Sequence, residues 1–181
     1  SLSRAVRLQQ SARSMIRRSK HDSAKKLYET HIYDWAKVPK AYTSAEEEVD
    51  DRVCVAQTYL LLALQCQRMG DVESARAAFR EGAERFEADA DHHDCESCRA
   101  HASKLYVSWG LLESKHKNLE LAWLLLAKAV RLDRTNVPVL RWKIWDPRYN
   151  PDMRFGRRLD LAKEVEDIRK YEELMKLLVL E

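Results

Sequence analysis

The chain has 181 residues with a net charge of +3, 45% hydrophobic residues and four each of Gly and Pro. That is length enough for a real core and too apolar for a disordered chain, while the shortage of turn formers argues against an all-β fold. Apolar runs such as Leu60–Leu64 are far too short to cross a bilayer.

Residues 1–20 carry Arg4, Arg7, Arg13, Arg17, Arg18 and Lys20, are rich in Ser and contain no acid. This composition fits the tail of an organellar presequence or the start of a mature organellar protein. It points to plastid or mitochondrion, with cytoplasm or nucleus as the alternative. From Ser3 to about Trp35 the pattern reads as two helices. Leu8, Met15 and Ile16 stripe the first, His21–Ser23 interrupts it, and Asp22 or Ser23 caps the second. Trp35–Thr43, with Pro39, is a connector. Ser44 and Glu47 then form a capping box opening a helix to Met69. One face of that helix is lined by Val49, Val53, Ala56, Leu60 and Ala63 and widened by Tyr59, Leu62 and Cys66. Gly70–Asp71 turns the chain, Gly allowing a left-handed exit and Asp capping the helix Val72–Phe86.

Residues 88–99 are polar and crowded with His and Cys, and read as a loop. Helices follow at about 100–115 and 119–132, and Pro138 opens an apolar piece, Val139–Trp145. After Pro147, Pro151 and Gly156 comes an amphipathic helix, Leu159–Leu180, whose stripe is Leu161, Val165, Ile168, Tyr171, Met175 and Leu178. That stripe suits a helix capping the open end of a stack. The expected organisation is therefore 1–43 basic helices and connector, 44–136 two helical hairpins, 137–158 a basic–aromatic connector and 159–181 a capping helix.

Two stretches share one pattern. Tyr59, Leu62, Cys66, Ala75, Phe79 and Gly82 have the same offsets (0, 3, 7, 16, 20 and 23) as Tyr106, Trp109, Glu113, Ala122, Leu126 and Ala129. Ala24, Tyr28 and His31 repeat the 0, 4, 7 spacing of the second helices, a degenerate first copy. Bulky residues on one helix, then Ala and a large residue on the next, let two helices approach closely and fill the gap. The pattern resembles the tetratricopeptide repeat. In the second copy the aromatic–aromatic–Glu run of Tyr106, Trp109 and Glu113, with Ala122 and Ala129, is closer to the half-a-tetratricopeptide variant. Ser74-Ala75-Arg76 in the first copy also resembles that variant. The resemblance covers residues 59–136, and the period between Ala24, Ala75 and Ala122 is 51 and 47 residues, against roughly 34 in a tetratricopeptide array. It implies an all-α fold, a short α-solenoid of about three imperfect hairpins with a C-terminal cap. It implies a non-catalytic scaffold or adaptor for protein subunits of a larger assembly.

Two local clusters carry chemistry of their own. His92, Cys95, Cys98 and His101 are spaced by three residues each. Thiolates and imidazoles suit tetrahedral Zn²⁺, but all four would come from ten consecutive residues. The alternatives are a Cys95–Cys98 redox pair or a solvated inter-repeat loop. Cys54 and Cys66 fall in the apolar pattern and read as small buried hydrophobes. In the strip 141–158, Arg141, Lys143, Arg148, Arg154, Arg157 and Arg158 interleave with Trp142, Trp145, Tyr149 and Phe155. Cations neutralise phosphates and rings stack on bases, so the strip supports an RNA-binding alternative in organellar RNA processing or translation. The same residue types dominate protein interfaces. Trp35, Trp142, Trp145, Tyr149, Arg154 and Arg157 are the candidate partner-binding residues. No catalytic set and no cofactor motif is recognisable, and no G-x-G occurs.

Overall fold

A computed structural model of the chain describes residues 4–37, 44–93 and 95–145. Those residues form α1 (Arg4–Arg17), α2 (His21–Lys37), α3 (Ala45–Arg68), α4 (Val72–His93), α5 (Glu96–Lys115) and α6 (Leu119–Leu132), then 3-10 helices at Arg134–Arg141 and Lys143–Trp145. Among the described residues there is no strand. The fold is all-helical, as expected from the sequence. The chain divides into two compact units at Ala102–Ser103, within α5.

Three helix pairs are turned by one device. At the first turn the Ser19 amide donates to the Ile16 carbonyl and the Lys20 amide to that of Met15. At the second, Gly70 donates to Gln67 and Asp71 to Cys66; at the third, Lys117 donates to Ser114 and Asn118 to Glu113. The middle residue is left-handed each time, with φ 57° at Ser19, 79° at Gly70 and 62° at Lys117. This is the Schellman motif, which satisfies the last carbonyls of one helix while reversing the chain. The residue after it opens the next helix: Ala24, Ala75 and Ala122 donate to the carbonyls of Lys20, Asp71 and Asn118. The three Ala spaced 51 and 47 apart in sequence thus sit at one backbone position in three turns, and all three are fully buried. The first copy, degenerate in sequence, carries the same turn as the other two.

In the first unit the pairing is antiparallel. From α2 to α3, Nδ1 of His21 meets Gln65, His31 meets Thr58 and Cys54, and Trp35 meets Asp51. The α3 number falls as the α2 number rises. From α3 to α4, Arg52 faces Asp89 and Tyr59 donates to Glu81 in the same sense. The core is Tyr59, Ala63, Cys66, Ala75, Phe79, Ala83 and Phe86, with Ala12 holding α1 and Ala24 and Tyr28 holding α2. On the face expected for α3, Ala56 and Ala63 are buried, Val53 and Leu60 are half-buried and Val49 is exposed. Ser44 caps α3, its Oγ accepting from the Glu47 amide at 3.2 Å.

In the second unit the end of α5 and α6 also run antiparallel. Ser103 Oγ donates to the Ala129 carbonyl at 2.7 Å, while Gly110 lies against Ala122 and Leu126. A Cβ built on Gly110 would fall 2.9 Å from Leu126 Cγ and 3.1 Å from the Ala122 carbonyl oxygen. Only Gly permits this approach of the two backbones. The 3-10 segment folds over α6, and Trp123, Leu126, Val130, Val139, Leu140 and Trp145 form one cluster.

Several boundaries differ from those read in the sequence. The chain breaks at Arg18–Lys20, so His21 opens α2 and neither Asp22 nor Ser23 is its cap. Helix α2 runs on through Trp35 to Lys37. The polar 88–99 segment is mostly not a loop: α4 extends to His93 and α5 begins at Glu96. Ala88 and Ala90 are strong helix formers, and neither Gly nor Pro interrupts them; Ala90 is fully buried. The expected capping helix, Leu159–Leu180, lies outside the described residues.

Candidate functional site

The residues assigned to repeat packing are in the core. Tyr59, Leu62, Ala75, Phe79, Tyr106, Trp109, Glu113, Ala122, Leu126 and Ala129 are all buried. Glu113, fully buried, accepts from Trp109 Nε1 at 3.0 Å and from Asn118 Nδ2 at 3.3 Å. These two bonds lie within its own helix and the turn that follows. Asn118 consequently gives α6 no side-chain cap.

The six candidate docking residues divide. Trp142 is exposed (42%), immediately beside exposed Arg141 and Lys143. Trp145 is not a docking residue: it is buried at 5%, packs edge-on against Trp123 at 5.4 Å and donates from Nε1 to the Val139 carbonyl at 2.8 Å. Trp35 is engaged inside the first unit, donating to Asp51 at 2.7 Å with Arg85 stacked 4.3 Å from its ring centre. Tyr149, Arg154 and Arg157 lie outside the described residues, as does the rest of the basic strip beyond Trp145. Among the described residues Tyr33 is the other exposed aromatic, with the Lys37 ammonium 4.5 Å from its ring centre. The basic residues Arg7, Arg13, Arg17, Arg18 and Lys20 are exposed on and just after α1.

Cys95 and Cys98 are joined as a disulfide at the start of α5. Among the described residues no three His, Cys, Asp or Glu side chains gather into a metal site; the His92 side chain lies outside them. His101 lies one turn on, its Nδ1 2.7 Å from the Ser97 carbonyl. A carbonyl only accepts, so Nδ1 carries the proton and Nε2 is the basic nitrogen. Cys54 and Cys66 are buried thiols outside any disulfide, and burial raises the Cys66 thiol pKa.

The α2–α3 seam holds a buried polar strip that periodicity does not reveal. His31, Thr58 and Gln65 are all buried. Thr58 Oγ1 donates to the Cys54 carbonyl at 2.8 Å and lies 3.4 Å from His31 Nδ1. Such groups fix the pairing of two helices because a slip would strand them unbonded. At the second turn, Asp71 Oδ1 accepts from the Ser74 amide at 3.1 Å and Oδ2 pairs with Lys25 at 2.9 Å. Hydrogen bonds from Ser74, then Lys25, hold the Asp71 pKa at about 2. The Lys25 pKa is raised in return, chiefly by its bond to Asp71. Burial, helped by Glu81, pushes the Tyr59 phenol up to about 12.

No described helix is long and apolar enough to cross a membrane. Comparison with protein-family models, with curated proteins and with solved structures finds no match to this chain.

Proposed function

We propose that this chain is a non-catalytic helical-repeat scaffold, a short tetratricopeptide-like stack of hairpins that docks protein subunits in a larger assembly. One observation carries the reading. Three hairpins turn through the same Schellman motif and bury an Ala at the same position of each second helix. A unit repeated in this way stacks through its inner faces and offers its outer residues to a partner. Exposed Trp142, flanked by Arg141 and Lys143, is the residue type that anchors protein interfaces. Docking on a preformed surface avoids most of the cost of ordering a flexible one. The basic surface of α1 fits an assembly in a plastid or mitochondrion.

The test is affinity capture from native extract, with and without ribonuclease, followed by quantitative mass spectrometry. A scaffold retains a defined set of protein subunits after ribonuclease. Retention that vanishes with ribonuclease would replace the scaffold by an RNA-binding module.

A further inference from the structure

The Cys95–Cys98 disulfide stands apart from the scaffold reading. It closes a loop inside the first turn of α5 and ties no two helices together, so a fold-stapling role does not account for it. Its Cα–Cα distance of 5.2 Å lies within the span that a disulfide bridges without backbone movement. The two sulfurs differ in setting. Cys98 is buried at 3% and Cys95 is half-exposed. The Cys98 amide donates to Cys95 Sγ, 3.2 Å away, and Cys95 sits at the start of a 20-residue helix, whose first N–H groups lack partners within the helix. Both favour negative charge on that sulfur. Arg52 is nearby, but its guanidinium already faces Glu48 and Asp89.

Beside the pair lies a shallow cleft lined by Val49, Val53, Phe86, Cys95, Cys98 and His101, among others, with space of only about 10 Å³, roughly one water. It is smaller than the roughly 300–1,000 Å³ of small-molecule sites, and its rim residue Val49 is exposed. It has no room for a cofactor, but exposed Val49 offers an apolar contact to a side chain beside a reacting sulfur.

We infer that Cys95–Cys98 is a thiol–disulfide exchange site for cysteine-bearing polypeptides, with Cys95 as the sulfur that trades partners and exposed Val49 beside it contacting an apolar neighbour of the substrate cysteine. A substrate thiolate attacks Cys95 Sγ. The Cys95–Cys98 bond breaks and its electron pair leaves on Cys98 Sγ, which takes up a proton. The second substrate thiolate then attacks the substrate sulfur of the mixed disulfide and expels Cys95 as a thiolate, stabilised by the Cys98 amide and the helix start. One substrate dithiol becomes a disulfide and one protein disulfide becomes a dithiol, two electrons having moved. His101, whose Nε2 is its basic nitrogen, lines the same cleft and is the group placed to exchange the thiol proton.

The test uses the full chain. Wild-type protein is equilibrated in mixtures of reduced and oxidised glutathione, quenched with N-ethylmaleimide and peptide-mapped by mass spectrometry. The oxidised fraction of the pair should follow the glutathione ratio while buried Cys54 and Cys66 stay reduced. Cys98→Ser should accumulate a glutathione mixed disulfide on Cys95, and Cys95→Ser about tenfold less on Cys98. A reduced two-cysteine peptide flanked by Leu should be oxidised several-fold faster than the same peptide flanked by Ser, and Val49→Asp should erase that difference. A pair unmoved by the glutathione ratio, or equal trapping on both cysteines, overturns the site. Equal rates for the two peptides overturn its substrate class. The wild-type titration needs no variant, so a misfolded mutant does not rescue the proposal.

Discussion

Gly110→Ala puts the packing of α5 on α6 to a test in which two effects oppose each other. In a helix with free space around it, Ala in place of Gly stabilises by about 1 kcal/mol, because Gly loses more backbone freedom on folding. Here the new methyl would sit 2.9 Å from Leu126 Cγ, a branch point and not a flexible tip, and 3.1 Å from the backbone oxygen of Ala122. The carbonyl oxygen cannot move without shifting α6, and fully buried Leu126 has little space into which to swing its Cγ. Overpacking of this kind costs about 1–3 kcal/mol, so the net effect is a loss of up to ~2 kcal/mol. The assay is urea unfolding followed by tryptophan fluorescence, since Trp109, Trp123, Trp142 and Trp145 all belong to the second unit. In a Leu126→Ala background most of the obstruction is gone, and the added cost of Gly110→Ala should shrink by ~1 kcal/mol or more. A Gly110→Ala protein unfolding at higher urea than wild type would show that the helices do not approach as described.

Further outcomes follow from the turns and the tryptophan cluster. Lys117 holds a left-handed conformation that costs a side chain about 1–2 kcal/mol. Lys117→Gly should therefore stabilise by ~0.5–1 kcal/mol once the greater freedom of unfolded Gly is subtracted, read from the thermal midpoint. The Asp71 carboxyl, with its pKa lowered from 3.8 to about 2, contributes stability that is present above pH 3.8 and fades as pH falls toward 2. Asp71→Asn should be less stable than wild type at neutral pH, and the gap should close over that acid window in pH-dependent unfolding. Trp145→Ala removes a buried ring and should cost ~3–5 kcal/mol, measured by circular dichroism melts. Loss within ~0.5 kcal/mol would mean that the ring is not packed against Trp123.

Much of this fold was legible because it is local. The helical period, the Gly70–Asp71 turn and the paired offsets of 59–82 and 106–129 are short-range signals, and the buried residues follow them. The reading stopped where local signals were absent or misleading. Lys117 and Ser19 take the left-handed place that Gly70 fills at the second turn, so the shared turn was invisible in residue type. Polarity at 88–93 suggested a loop, yet a helix exposes polar residues on one face without breaking. Gly110 was the available sign of a close contact, an isolated Gly inside a helical pattern. Trp142 and Trp145 are alike in sequence and opposite in burial, because the 3-10 segment, not an α-helical period, decides which ring turns inward. The His31–Thr58–Gln65 strip depends on which helices pair, which one sequence does not state.

The scaffold account is tested most directly at Trp142. With a subunit recovered by ribonuclease-resistant capture in hand, titration calorimetry compares its affinity for wild type and for Trp142→Ala. An exposed ring contributes little to folding, so the variant should melt with the wild-type protein while binding at least about tenfold more weakly, as loss of an aromatic hot spot requires. Unchanged affinity in a folded Trp142→Ala protein would contradict the docking surface, and failure to recover any stoichiometric protein partner would contradict the scaffold itself.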